Sequence, residues 1–327
     1  MTARIVTALI GVIVTPIALG ITSSSGIQIY QLQGLLMYQE FDPAALAGPI
    51  AMQILGLVLL LGVIATGLWS SAGLLAAGVL GLATIIFAVV PGLLLELYMS
   101  APRFIPSDWI DGLFYGVPLV VYTVLGAMGL ALFMIRRSTR RASTGLVVGG
   151  FIAAPVLLAI GGSLLVWGGN EGQNRAVITM DGSINPIAAG AVIAGVVFTI
   201  AGIAAARWSP WALVIPAAGL LLLTLLFFLS ISAPDLRSLI PFELFRVGMS
   251  FVLMGGALIT GIAQLGFTVV AVLVSRRARR KAASAGGAYP SGPFPAGQYP
   301  RPSAAPYSPG QHPAPSQTGY PPVPPTS

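Results

Sequence analysis

Eight apolar stretches divide the chain, at about residues 4–22, 46–68, 72–95, 113–135, 145–167, 186–206, 211–231 and 248–275. A helix needs roughly 20 consecutive apolar residues to cross the ~30 Å hydrocarbon core of a bilayer, and each stretch meets or approaches that length. The pattern predicts an all-α integral membrane protein with eight transmembrane helices. The joins at 69–71 and 207–210 leave room only for antiparallel hairpins. Longer polar connections fall at about 23–45, 96–112, 168–185 and 232–247. Two of them, GIQIYQLQG and RAVITMDGS, carry β-branched or alternating residues that predict short strands, with Asp181-Gly182 as a turn signal. Irregular loops packed over the bundle fit these two segments equally well.

The apolar pattern repeats. GVIVTPIALG at 11–20 aligns with GFIAAPVLLA at 150–159, which sets Pro16 opposite Pro155 at an offset of 139. WSS at 69–71 matches WSP at 208–210 at the same offset, and Leu125-Gly126 matches Leu265-Gly266 at 140. SAP at 100–102 and Ile105-Pro106 find SAP at 232–234 and Ile240-Pro241 at offsets of 132 and 135. The drift sits in a loop, where insertions are tolerated. The ordered matches predict two parallel four-helix repeats, 1–141 and 142–281, followed by a tail, 282–327. The first span has the small residues of a secretory leader, but its internal counterpart predicts that it is retained.

Each repeat ends in a basic run, RRSTRR at 136–141 and RRARRK at 276–281, which together with Arg4 hold ten of the 16 basic residues. With the N-terminus in the cytoplasm, twelve basic residues fall inside and four outside, namely Arg103, Arg175, Arg237 and Arg246. The positive-inside rule favours this orientation. It predicts a multi-pass plasma-membrane protein with both termini cytoplasmic, and all nine acidic residues on the outside or its rim.

Composition narrows the class further. Of 327 residues 56% are hydrophobic and 8% charged, whereas soluble domains carry about 25% charged residues. The mean hydropathy is +0.91. The net charge of +7 is placed at helix ends, so nucleic acid is not an expected partner, whereas the lipid bilayer is.

The chain holds no cysteine, and its one histidine, His312, lies in the tail. Disulfides and thiolate chemistry are excluded, the span region has no histidine base, and no cofactor or metal is expected. The middle of every span lacks Asp, Glu, Lys, Arg and His, which argues against a proton relay. Glu96 comes closest, at the outer end of the third span, as a rim carboxylate or an outward-facing cation or substrate contact. Pro16 and Pro155 sit mid-span, where proline frees a carbonyl and bends a helix, as a packing bend or a hinge. Gln53 and Gln264 suit interhelical hydrogen bonds, and with Tyr122 they are candidates to line a pathway. Gly145 and Gly149 form a GxxxG that implies tight packing and no particular dimer. Glu40 and Asp42 give a remote foothold for a lipid-linked-sugar glycosyltransferase, although the second half has only Asn185-Pro186 where the first has Asp42-Pro43.

After Lys281 the composition changes. Half of the 26 prolines lie in the last 38 residues, too many, among Gly, Ser and Gln, for a core to offset the ordering entropy. The tail is predicted to be disordered with polyproline II character, and Tyr289, Tyr299, Tyr307 and Tyr320 are candidate docking points for cytoplasmic partners. In composition the tail resembles those of envelope proteins of high-GC actinobacteria, a likeness that covers the tail alone and implies no family. The expected function is a non-catalytic envelope platform with a recruiting tail. The alternative is a transporter or flippase for a lipidic or neutral substrate, moving between two pseudo-symmetric halves. A polar cavity between the halves favours transport; a dry seam favours the platform.

Overall fold

A computed structural model describes residues 2–36, 43–100, 107–137, 143–232, 248 and 250–286. The chain divides into two units, Met1–Ala285 and Gly286–Ser327. Only the last residue of a helix is described in the second unit, so the fold below is that of the first.

Every regular element among the described residues is helical. They run α1 (Thr2–Leu36), α2 (Ala47–Thr66), α3 (Ala72–Val89), α4 (Pro91–Ser100), α5 (Ser107–Phe114) and α6 (Val117–Arg137). There follow α7 (Thr144–Gly169), α8 (Arg175–Thr179), α9 (Pro186–Ala205), α10 (Val214–Ser232) and α11 (Gly256–Gly286). Eight of these helical stretches are long and apolar enough to cross a membrane. Helix is the form that apolar runs of this length adopt, because it satisfies every backbone group within the segment.

Local chemistry sets several helix ends. Asn185 caps α9, its Oδ1 accepting from the backbone N–H of Ile187 at 3.1 Å and of Ala188 at 3.3 Å, with Pro186 at the first helical position. Ser143 caps α7 through the N–H of Leu146. Pro91 supplies no N–H, and the third apolar run breaks at Val90 into α3 and α4.

Three expectations are corrected. GIQIYQLQG and RAVITMDGS form no strands: the first continues α1 and the second contains α8. Ile27 and Ile29 become buried on the extended α1, so tertiary contact overrides the alternating pattern. At the other end of the sequence, residues 282–286, assigned by composition to the disordered tail, continue α11. Alanine, the best helix former, recurs through that stretch. The rest of the tail lies outside the described residues.

Two helices form the middle. The apolar windows of α6 and α11 are 78% and 61% buried, against 22–44% for the other six spans, so these two are central. Around them α1 packs on α2 and α3, α3 on α6, α7 on α9, and α6 on α9. On the far side α11 lies against α10, where Gly261 faces Ala217 and Leu221, and against α2, where Gly266 faces Leu61. Leu132 of α6 and Val270 of α11 meet at Gly67, beside the α2–α3 turn.

Backbone contact sets these distances. A Cβ on Gly126 of α6 would lie 2.7 Å from the Cα of Gly78 of α3, so neither position accepts a side chain without separating the helices. Close approach of this kind multiplies dispersion contacts that are individually worth about 0.1–0.2 kcal/mol.

Candidate functional site at the acidic end of the bundle

Successive long helices alternate in direction, so the bundle has two ends. One collects the α2–α3 and α9–α10 turns and the arginines at the end of α6. The other carries α4, α5, α8 and all five described carboxylates, Glu96, Asp108, Asp111, Glu171 and Asp181.

Helices of 10, 8 and 5 residues, as α4, α5 and α8 are, are marginal in isolation. They form here because they share a small core of their own. Leu94 of α4 with Ile110 and Phe114 of α5 are buried together, with Leu97, Leu113 and Val177 packed around them. Tyr98 meets Phe114 edge-on at 5.2 Å between ring centroids. In the sequence SDWIDGLF the apolar residues Ile110, Leu113 and Phe114 recur at three- and four-residue spacing, while Asp108 and Asp111 share another face.

The polar face of α5 is fastened to α1. The Ser24 hydroxyl donates to Asp108 Oδ2 at 2.8 Å. Trp109 lies over Gly20, and Gly112 sits against Ser23 so tightly that a Cβ there would be 2.2 Å from the Ser23 hydroxyl oxygen. Tyr30, one turn above Ile27 on α1, meets Tyr115 at 6.0 Å. Burial and, secondarily, Asp108 raise the Asp111 carboxyl above its ordinary range. The Tyr115 phenol is also pushed up, by burial first and then by Tyr30 and Asp111.

The second half joins this layer through a π-turn at Asn170–Asn174 that runs into α8. Single π-turns frequently mark functional positions. Gln173 in this turn is buried, and its Oε1 has no hydrogen-bond partner. Arg175 pairs with Glu171 at 3.4 Å. Beyond α8 the chain reverses at Met180, a non-glycine residue at φ 51°. Asp181 holds that reversal by accepting from the Ser183 N–H and hydroxyl at 2.9 and 2.8 Å, and these bonds hold its carboxyl below the ordinary range. The loop is pinned where Gly182 meets Gly92 at the start of α4, backbone to backbone. Ile178, Met180, Ile184 and Ile187 remain exposed along it.

The residues singled out by sequence lie elsewhere for the most part. Pro16 and Pro155 are half-buried within α1 and α7, which run through them uninterrupted. The missing N–H leaves the carbonyls of Val12 and Phe151 without their helical donors. Gln53 is buried against Gly255, a positive-φ turn before α11. Tyr122 is buried on α6 against Gly81 of α3. Gln264 is buried on α11 with its Oε1 unpartnered. Gln53 and Tyr122 therefore meet different neighbours. Glu96 is exposed on α4, within the cap. Glu40, Asp42, Tyr289, Tyr299, Tyr307 and Tyr320 lie outside the described residues.

The sequence reading missed Ser23, Ser24, Tyr115 and Gln173, and it treated Asp108 and Asp111 as rim charges only. The available signal was the pairing of SDWIDGLF with the hydroxyl run TSSS at 22–25, 82 or more residues earlier in the chain. Among the described residues, no three His, Cys, Asp or Glu side chains come together as a metal site would require. Comparison with family models, with curated proteins and with solved structures finds no match.

Proposed function

We propose that this chain is a non-catalytic, multi-pass plasma-membrane protein that serves as an envelope platform, with both termini cytoplasmic and the acidic cap outside. The observation that carries this reading is the cap itself. Short helices and a tight loop from both halves are locked onto the bundle through a separate core, and they present Ile178, Met180, Ile184 and Ile187 to their surroundings. Exposed apolar side chains on a rigid layer suit contact with another protein. The seam between the halves adds support through apolar contacts, Leu61 at Gly266 and Leu132 with Val270 at Gly67, although Gln53 of the first half also crosses it to Gly255.

Within this reading the halves are parallel four-helix copies. The pairings favour it: α1–α2 corresponds to α7–α9, α3–α6 to α10–α11, and the cross-contact α6–α9 to α11–α2. Asn185-Pro186, the counterpart of Asp42-Pro43, is a helix cap. That role speaks for a structural rather than a catalytic part for the acid pair.

A second reading, transport of a neutral or lipidic substrate between the halves, rests on Thr260 and Gln264. They lie one turn apart on α11, both are buried, and each has an oxygen with no partner.

The test is purification from native membranes in mild detergent, comparing the full chain, a version ending at Lys281, and Ile184→Asp/Ile187→Asp. The platform reading expects a defined partner set, part lost with the tail and part lost with the cap variant. Recovery of all three proteins alone, with uptake of a neutral or lipidic solute by vesicles that Gln264→Leu abolishes, overturns it in favour of transport.

A further inference from the structure

At the end of the bundle opposite the cap, three arginines are held by neutral groups. Arg136 donates from Nη1 to the Trp69 carbonyl at 2.9 Å and from Nη2 to the Gly67 carbonyl, which ties the end of α6 to the α2–α3 turn. Arg137 lies 5.1 Å from the Phe133 ring centroid. Arg207 stacks 4.4 Å from the Trp208 ring and donates to the Met134 sulfur at 3.3 Å. Arg4 starts α1 at the same place: Thr7, one turn on, donates to the Arg4 carbonyl, and the Thr7 carbonyl lies against Gly73, just beyond the α2–α3 turn that Arg136 holds. Four positive charges thus gather about the last turns of α6, and every described carboxylate belongs to the other end.

Aromatic faces and carbonyls orient a guanidinium without cancelling its charge. Like charges held together in this way favour an anion between them. The surroundings say which kind. Immediately along α1 from Arg4, the side chains of Ile5, Val6 and Leu9 are exposed, as is Phe133 one turn before Arg137. Trp69, whose carbonyl Arg136 holds, is also exposed. Cationic groups at one level, tryptophan beside them and bare apolar surface below match a phosphate joined to acyl chains. A free phosphate would use only the first of these.

We infer that this end binds the headgroup phosphate of an anionic phospholipid, with Arg4, Arg137 and Arg207 as donors and Arg136 as the residue that positions them. The inference rests on the membrane reading proposed above. Arg136 is committed to backbone carbonyls, so it is left intact in the test.

The experiment melts the purified full-length protein in detergent while titrating short-chain phosphatidylglycerol, short-chain phosphatidylcholine or inorganic phosphate. Phosphatidylglycerol is expected to raise the melting temperature saturably, and the other two are not. Arg4→Gln/Arg207→Gln should raise the half-saturating concentration at least tenfold, roughly 1.4 kcal/mol or more. Arg277→Gln/Arg279→Gln removes equal charge from α11 and should change it less than twofold. The single variants Arg4→Lys and Arg207→Lys keep the charge and should retain most of the binding.

An equal loss in both double variants would mean unspecific attraction and would sink the assignment. An equal shift with inorganic phosphate would replace the lipid by a free anion. Absence of any lipid effect, in protein that still reconstitutes into bilayers, overturns this inference alone. Failure to reconstitute into any bilayer overturns the membrane reading beneath it.

Discussion

The two ends of the bundle carry opposite charges and hold them with different partners. At the cap, carboxylates are answered locally: Asp108 accepts from Ser24, Asp181 from Ser183, and Glu171 pairs with Arg175. For Arg136, Arg137 and Arg207 at the other end, the partners are carbonyls, a sulfur and aromatic rings. The ends differ in architecture too. The cap is a layer of short helices over a core of Leu94, Ile110 and Phe114, whereas the arginine end consists of tight turns over a small core of Ala154, Ala205 and Ala212 against Trp208. Hydroxyls orient a carboxylate without cancelling its charge, and among the described residues Arg175 is the one basic group at the cap. Arg136, Arg137 and Arg207 are likewise held by neutral groups at the other end.

The most disruptive test of this contrast is Phe114→Ala, which removes the buried ring that joins α4 to α5. A loss of about 3–4 kcal/mol is expected from the transfer and cavity terms. If the cap is a separate unit, amide exchange rises in α4, α5 and α8 while α6 and α11 keep their protection. Equal loss of protection in all five would merge cap and bundle into one cooperative body.

Arg136→Ala is the corresponding break at the other end. Two hydrogen bonds from a charged donor are lost, with an expected cost of about 2–3 kcal/mol after allowing for partial exposure. Arg136→Lys should recover less than half, because an ammonium lacks the planar fork that spans two carbonyls. Thermal melting in detergent reads both, and full recovery by lysine would show that charge alone matters there.

Ser24→Ala should cost about 1 kcal/mol. Its effect should appear as faster exchange in α5 and no change at the α2–α3 turn. A null result would leave Trp109 and Gly112 as the fastening of α5.

The smallest effect concerns pH. Burial and Asp108 raise the Asp111 carboxyl above the ordinary 3.8. An acid raised on folding binds its proton more readily in the folded state, so its contribution to stability is complete below 3.8 and is lost as pH rises through the raised value. Cap opening, from exchange rates corrected for intrinsic chemistry, should be rarer in mild acid than at neutral pH. Asp111→Asn should flatten that dependence, and an unchanged slope would assign it to another group.

The apolar runs alone were enough to place eight long helices, because bilayer-length helix formation depends on a segment's own composition and not on its neighbours. The break at Pro91, inside the run read as one span over 72–95, and the Asn185 cap went unread, although both follow from the backbone chemistry of those residues. The extension of α1 and the helical form of α8 were hidden. Ile27, Ile29 and Val177 have the spacing of strand residues, and they adopt helix where buried neighbours reward it. The cap was hidden for the same reason. Ser24 and Asp108 are separated by 84 residues, and a hydrogen bond across that interval exists only after α1 and α5 have packed. Local composition selects elements; contact between distant segments decides which polar groups share a site.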